Sequence, residues 1–155
     1  MTRFSIIIPC RDEEENVELI ASNILRECIE YDYEIIFIDD FSQDTTLDKL
    51  KNISKNNQNI FFLENNIKGL GGAITLGLKK FNGEYVTIMM ADSADSIDDL
   101  KKYFELISEN KYDAIFGSRF IKGGSTKDYP KIKLFLNRVF NNITRILFLS
   151  NYNDF

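Results

Sequence analysis

The sequence predicts an α/β fold with a mostly parallel central sheet flanked by helices. Three observations carry this. Short apolar runs rich in β-branched residues recur along the chain. Each is followed by a segment with apolar residues at helical spacing. The alternation repeats at intervals of about 25 residues, and no hairpin signal separates neighbouring runs, as expected of crossover-linked parallel strands.

The elements follow in order. Phe4 to Pro9 (FSIIIP) is a short apolar run of the kind that lies in a buried parallel strand. Acidic residues then open a helix predicted from about Glu13 to Glu30, with Val17, Ile20, Ile24 and Cys28 on one face. Glu34 to Ile38 (EIIFI) is a second strand ending at Asp39-Asp40, and Ser42 is the expected cap of the next helix, which carries Leu47, Leu50 and Ile53. Ile60 to Leu63 (IFFL) is a third strand. Asn65 to Gly72 is a loop with three glycines, and a helix is expected through Ala73 to Phe81. Tyr85 to Met90 (YVTIMM) reads as a fourth buried strand that runs out at Asp92. Asp98 to Glu109 is helical by spacing, and Ala114 to Gly117 is a fifth strand leading to Ser118-Arg119. Lys131 to Ser150 shows a broad apolar face opposed by Lys133, Asn137, Arg138, Asn141, Asn142 and Arg145.

Composition narrows the chemistry. A net charge of −5 argues against a nucleic-acid backbone as the main partner. The chain has no histidine. Ser-His-Asp and Cys-His catalysis are therefore excluded within it, and a bound metal must be held by oxygen, which points to Mg²⁺ or Mn²⁺. Two cysteines, Cys10 and Cys28, make neither a disulfide framework nor a zinc site and suit a reducing cytoplasm as packed thiols. The chain opens on a strand-like run rather than a signal peptide, and no apolar stretch reaches the roughly 18 residues that span a bilayer. A cytoplasmic chain, soluble or peripheral on the cytoplasmic face of the membrane, is expected.

In open α/β sheets, ligands bind outside the carboxyl ends of the strands. Four expected strands end there in polar groups: Pro9 to Glu13, Asp39-Asp40, Asp92 and Arg119. Any single polar strand end can be explained by solvent; four at one edge point to a site. A carboxylate at Asp39 or Asp40 can accept hydrogen bonds from a base N–H or ribose hydroxyls. Asp92, with Asp95 three residues on, suits a divalent cation bridging a diphosphate. Asp98 and Asp99 read as an ordinary acidic helix start. The loop Lys68-Gly69-Leu70-Gly71-Gly72 is neither a Walker A loop nor GxGxxG, but it lets backbone approach a ligand.

Taken together, SIIIPCRDEEENV at 5–17, EIIFIDDFSQDTT at 34–46, NNIKGLGGAITLGL at 65–78, VTIMMADSADSIDDL at 86–100 and FGSRFIKGG at 116–124 resemble glycosyltransferase family 2 in its polyprenyl-phosphate, dolichyl-phosphate mannose synthase-like branch. The resemblance implies a Rossmann-like GT-A fold, with 1–155 a nucleotide-sugar-binding catalytic domain truncated at its C-terminus. It also implies that Pro9, Arg11, Glu13 and Asp40 frame the nucleoside with Asp39 alongside, while Lys68, Gly69 and Gly72 lie near the base and ribose. Asp92 would bind the metal; the family's Asp-x-Asp here reads Ala91-Asp92-Ser93, so its second acid is either missing or replaced by Asp95. Arg119 and Arg138 would hold an acceptor phosphate.

The implied activity is transfer of a hexosyl group from a GDP- or UDP-sugar to a lipid phosphate with inversion. A phosphate acceptor needs positioning and cations but no general base, whereas a sugar hydroxyl needs one. The alternatives are a transferase acting on a saccharide hydroxyl and a domain that binds the nucleotide-sugar without turning it over. A nucleotidyltransferase is disfavoured, because Pro-Cys-Arg-Asp-Glu stands where that class has a Gly-rich loop. The apolar face of 131–150 is also suited to a membrane interface, with Lys127, Lys131, Lys133, Arg138 and Arg145 toward anionic head groups.

Overall fold

The computed structural model describes residues 3–92, 95–118, 120, 121, 130–149, 152 and 154. Residues 1–111 and 112–155 form two compact units. The first contains β1 (Phe4–Cys10), α1 (Val17–Glu27), β2 (Tyr33–Asp39), α2 (Thr46–Asn56), β3 (Ile60–Glu64), α3 (Leu70–Leu78), β4 (Tyr85–Ile88) and α4 (Ile97–Ser108). The second contains α5 (Lys131–Phe148).

The four strands form one parallel sheet in the order β3-β2-β1-β4. Every residue of β1 and β2 is buried, as expected of central strands covered on both faces. Chain order explains the covering. The path steps outward from β1 to β3 and then returns past β1 to β4, so right-handed crossovers place α3 on the face opposite α1 and α2. On the α3 face, Ile7, Ile36, Ile38 and Ala73 form a buried cluster with Leu63, Leu76 and Phe81 against it. Gly77 permits this close approach, since a Cβ there would lie 2.6 Å from Ile7 Cγ2. On the other face, α1 buries Val17, Ile20, Ala21 and Ile24 and meets both α2 and α4. Phe104 of α4 stacks on Phe4 at 4.1 Å and meets Tyr31 edge-on at 5.1 Å.

The end of the sheet away from the polar strand termini is closed by a buried acid. Glu34, 4% exposed, accepts hydrogen bonds from Ser5 Oγ at 2.6 Å, Asn82 N at 2.7 Å and Asn82 Nδ2 at 3.1 Å. A charge can stay there because donors replace the lost water.

Several expectations are corrected. β4 spans only 85–88, the last strand of the described sheet, with Tyr85 and Thr87 half-buried on one face and Val86 and Ile88 exposed on the other. Ala114–Gly117 is not a strand; the Gly117 carbonyl accepts from Tyr152 Oη at 2.9 Å, and Phe116 packs on the Tyr152 ring at 5.5 Å. Helix α1 begins at Val17 because Glu13 to Asn16 form a turn. Helix α3 begins at Leu70, taking Gly71 and Gly72 into its first turn. Ser42 caps no helix, and α2 starts after Thr45. Asp98 and Asp99 do open α4, capped by Ser96 Oγ accepting from Asp98 N at 3.2 Å.

Replacing Phe104 with Ala removes a ring that is 2% exposed from the α4 contact. The expected cost is about 3–5 kcal/mol, read as a lower urea midpoint with an unchanged slope.

Candidate functional site

The strand order places a topological switch between β1 and β4, where the chain leaves in opposite directions, and in open α/β sheets ligands bind at the carboxyl edge beside such a point. The ends of β1, β2, β3 and β4 bring Pro9 to Glu13, Asp39-Asp40, Glu64-Asn65 and Met89 to Asp92 to this edge. Three of the four strand ends read from the sequence thus converge. The fourth, Arg119, lies outside the described residues, and Arg138 is on α5 in the second unit.

Asp40 is 5% exposed and organises the edge. Its amide donates to the Cys10 carbonyl at 2.8 Å, tying β2 to β1. Its Oδ1 accepts from Asn65 Nδ2 at 2.7 Å and from Gly69 N at 2.9 Å, while Oδ2 stands 3.0 Å from the same amide. Gly69 is the N-cap of α3, so this carboxylate also sits at the positive end of a helix. Gly69 has φ 114°, a conformation glycine adopts without strain. Asn65 completes the turn: Nδ2 donates to the Ile67 carbonyl at 2.6 Å, and Oδ1 accepts from Ile67 N at 3.2 Å. Gly72 is required by space, since a Cβ would lie 1.9 Å from Ile67 O. Lys68 is exposed at the tip of this loop.

Beside it, Asp39 is also 5% exposed. Its Oδ2 accepts weakly from Ser42 N at 3.4 Å, and Oδ1 has no hydrogen-bond partner among the described residues. The loops after β1 and β2 clasp each other. Asp12 N donates to Ser42 Oγ at 3.1 Å and Gln43 N to Asp12 Oδ1 at 2.6 Å; Glu13 N donates to Thr46 Oγ1 at 2.9 Å. Glu14 N donates to Asp44 Oδ2 at 3.1 Å, and Glu14 Oε2 accepts from Thr45 Oγ1 at 2.6 Å and Thr45 N at 3.0 Å. Asp12 and Phe41 both take left-handed φ, 55° and 60°, which for the bulky Phe41 is an outlier. Arg11 is exposed, its Nε 4.0 Å from Asp12 Oδ2, a surface pair of small energy.

The sequence matches a known family. The profile of Glycosyl transferase family 2 fits residues 5–154. The chain belongs to glycosyl transferase family 2. A dolichol-phosphate mannosyltransferase of Pyrococcus furiosus is 33% identical over 128 residues, 83% of this chain and 36% of that protein. A poly(ribitol-phosphate) beta-glucosyltransferase of Bacillus spizizenii is 27% identical over 132 residues, 83% of this chain and 20% of that protein. The crystal structure of S. aureus TarS 1–349 with UDP-GlcNAc superposes with TM-score 0.56 at 21% identity, over 78% of this chain and 39% of the other, which establishes the GT-A fold. This family 2 chain spans little more than a third of the length of its mannosyltransferase relative.

Asp92 and Asp95 are exposed carboxylates on the loop after β4, and Asp95 Oδ2 accepts from Met90 N at 2.8 Å. Among the described residues no three His, Cys, Asp or Glu side chains group as a metal cage. Mg²⁺ binds readily through one or two carboxylates completed by phosphate oxygens and water. The donor set therefore fits a cation that arrives with a diphosphate rather than one caged by protein alone.

Cys10 is buried, and desolvation, aided by Glu13 and Asp39, pushes its thiol far above the ordinary range. Burial raises Cys28 to about 11. Neither supplies a thiolate near neutrality. Sequence reasoning missed Asn65 and the clasp. Asn65 does carry a signal, a side chain poised for an Asx-turn just before the glycine loop; the clasp joins residues about thirty positions apart and has none.

Two outcomes follow. Asn65→Ala should cost about 1–3 kcal/mol, because it leaves Asp40 short of a buried donor; thermal melts would measure it. Glu14 is held below its ordinary carboxylate range, first by the hydrogen bond from Thr45 Oγ1. Its folded pKa is depressed, so its contribution is full above the unfolded pKa and is lost as pH falls through the folded one. Carboxyl NMR titration should show Glu14 moving back up toward ordinary values in Thr45→Val.

Proposed function

We propose that this domain takes a hexosyl group from a GDP- or UDP-sugar and transfers it, with inversion, to a polyprenyl-phosphate-type acceptor. The observation that carries the reading is the Asp40–Asn65–Gly69 node, which ties the ends of β2 and β3 to the start of α3 at the carboxyl edge of the sheet. The nucleoside lies in the frame of Pro9, Arg11, Glu13 and Asp39, with Lys68, Gly69 and Gly72 beside base and ribose. Asp40 acts chiefly through the glycine loop that it holds. Among the described residues Asp39 Oδ1 has no donor, and a base N–H would supply one. The dolichol-phosphate mannosyltransferase relative supports the acceptor class, and the UDP-GlcNAc complex of TarS agrees with a nucleotide-sugar donor.

In the reaction an acceptor phosphate oxygen bonds to the anomeric carbon from the face opposite the leaving group. The bond from that carbon to the donor phosphate breaks, and a nucleoside diphosphate departs. Asp92 with Asp95 would hold Mg²⁺ or Mn²⁺, which when bound would supply Lewis-acid neutralisation of the diphosphate. The acceptor is already an anion, so Arg119 and Arg138 serve as cations that position it. The poly(ribitol-phosphate) glucosyltransferase relative favours a second reading, a hydroxyl acceptor, which would require a carboxylate base.

Calorimetric titration with GDP-mannose and UDP-glucose, each with and without Mn²⁺, tests the donor half of the reading. Metal-supported binding of one donor is expected. Asp92→Ala should weaken that binding about tenfold or more, at least about 1.4 kcal/mol. Unchanged binding would remove Asp92 from the site.

A further inference from the structure

Phe41 stands where backbone sterics favour a smaller residue. Its φ of 60° is left-handed, a conformation that glycine, asparagine and aspartate adopt far more readily than a bulky side chain. Asp12, the other left-handed residue of the clasp, is of the tolerant kind, and its Oδ1 accepts from Gln43 N at 2.6 Å. Phe41 has no such compensation. Its ring makes no hydrogen bond and is 42% exposed, so packing offsets only part of the strain. Among the described residues no aromatic ring or guanidinium stacks on it. A half-bare ring on a strained backbone is a feature that stability alone would remove, and such outliers gather where ligands bind.

The turn that carries Phe41 also carries an acceptor without a donor. Asp39 Oδ2 accepts from Ser42 N at 3.4 Å, which makes Phe41 the third residue of a four-residue turn. The ring therefore leaves the backbone two residues beyond Asp39. That residue is 5% exposed, and its Oδ1 has no hydrogen-bond donor among the described residues. The turn is fixed on both sides of Phe41. Asp40 N donates to the Cys10 carbonyl at 2.8 Å, and Asp12 N donates to Ser42 Oγ at 3.1 Å. An open aromatic face and an open carboxylate oxygen in one short turn suit a planar heterocycle with N–H groups on its rim. The rim donates to the carboxylate while the plane stacks on the ring. A bare diphosphate satisfies neither, being an anion without an aromatic face.

We infer that Phe41 is a base-stacking residue of the donor site, its ring lying against the nucleobase whose N–H donates to Asp39 Oδ1. The inference rests on the proposed nucleotide-sugar reading and adds to it the side chain that holds the face of the base. Stacking is tolerant of base identity, because purines and pyrimidines both offer a π-face. Phe41 therefore sets how tightly the nucleoside is held, and Asp39 reads its edge. The left-handed strain at position 41 is retained for the sake of the ring.

The test is calorimetric titration of the 155-residue chain and three variants with GDP, UDP and inorganic diphosphate, each with Mn²⁺. Phe41→Gly and Phe41→Asn accept the left-handed backbone and lack the ring. Phe41→Trp keeps an aromatic face, and because the chain has no tryptophan it introduces a single indole reporter. The unchanged chain is expected to bind GDP or UDP. Phe41→Gly and Phe41→Asn should bind that nucleotide about tenfold or more weakly. Their melting temperatures should stay close to or above that of the unchanged chain, and their binding of inorganic diphosphate should match it. Phe41→Trp should keep nucleotide affinity within about threefold, and its indole emission should fall with the nucleotide and not with inorganic diphosphate. Nucleotide binding that both ringless variants retain in full would overturn the inference and leave the donor reading standing. So would a loss shared equally with inorganic diphosphate, which would trace to the loop rather than the ring, or an indole that stays bright in a variant that binds nucleotide. An unchanged chain that binds neither nucleotide would overturn the donor reading and the inference together.

Discussion

The site depends on one buried carboxylate. Asp40 ends the path of β2, ties its amide to β1 and accepts from both Asn65 and Gly69, so three strand ends and the N-terminus of α3 share one node. Such a charge is tolerable only because its oxygens receive strong donors and face a helix N-terminus. Without it the glycine loop has no reason to turn where it does. Gly69 and Gly72 then follow as consequences, one through its left-handed backbone and the other through the lack of room beside the Ile67 carbonyl.

The sheet supplies the platform. Four parallel strands put four carboxyl ends on one edge, and the reversal of direction between β1 and β4 sets the topological switch point beside the last strand of the described sheet. The opposite edge is closed by Glu34 with Ser5 and Asn82. The two ends therefore hold buried carboxylates in different ways. Glu34 is bound by side chains and backbone of the fold alone, whereas Asp39 keeps an oxygen for which the described residues offer no donor.

Much of this was legible in the sequence, for physical reasons. The central strands announce themselves because burial on both faces demands unbroken apolar runs, as in SIII and EIIFI. Family membership was legible because five short segments resemble one family in a single order. The edge was harder: YVTIMM looks as buried as its neighbours, yet β4 pairs only through Ile88 and exposes alternate residues. Ala114–Gly117 has strand-like composition, but its Gly117 carbonyl is taken by a tyrosine rather than a ladder. Helix ends were displaced where side chains found distant partners, as Ser42 did with the Asp12 amide instead of capping α2. Glu34 shows the same limit, because a buried acid is readable only once its donors, 29 and 48 positions away, are known.

The left-handed backbone at Asp12 and Phe41 has an evolutionary consequence. Each such residue holds the chain about 1–3 kcal/mol above a relaxed alternative, and here both are kept in place by the clasp between their loops. Glycine at position 41 would relieve that strain, so a screen for heat-resistant variants would be drawn toward the rim of the donor edge. Robustness gained there comes from slackening the loop that follows Asp40. In this domain, relief of strain at position 41 and retention of the clasped loop geometry pull on the same residue in opposite directions.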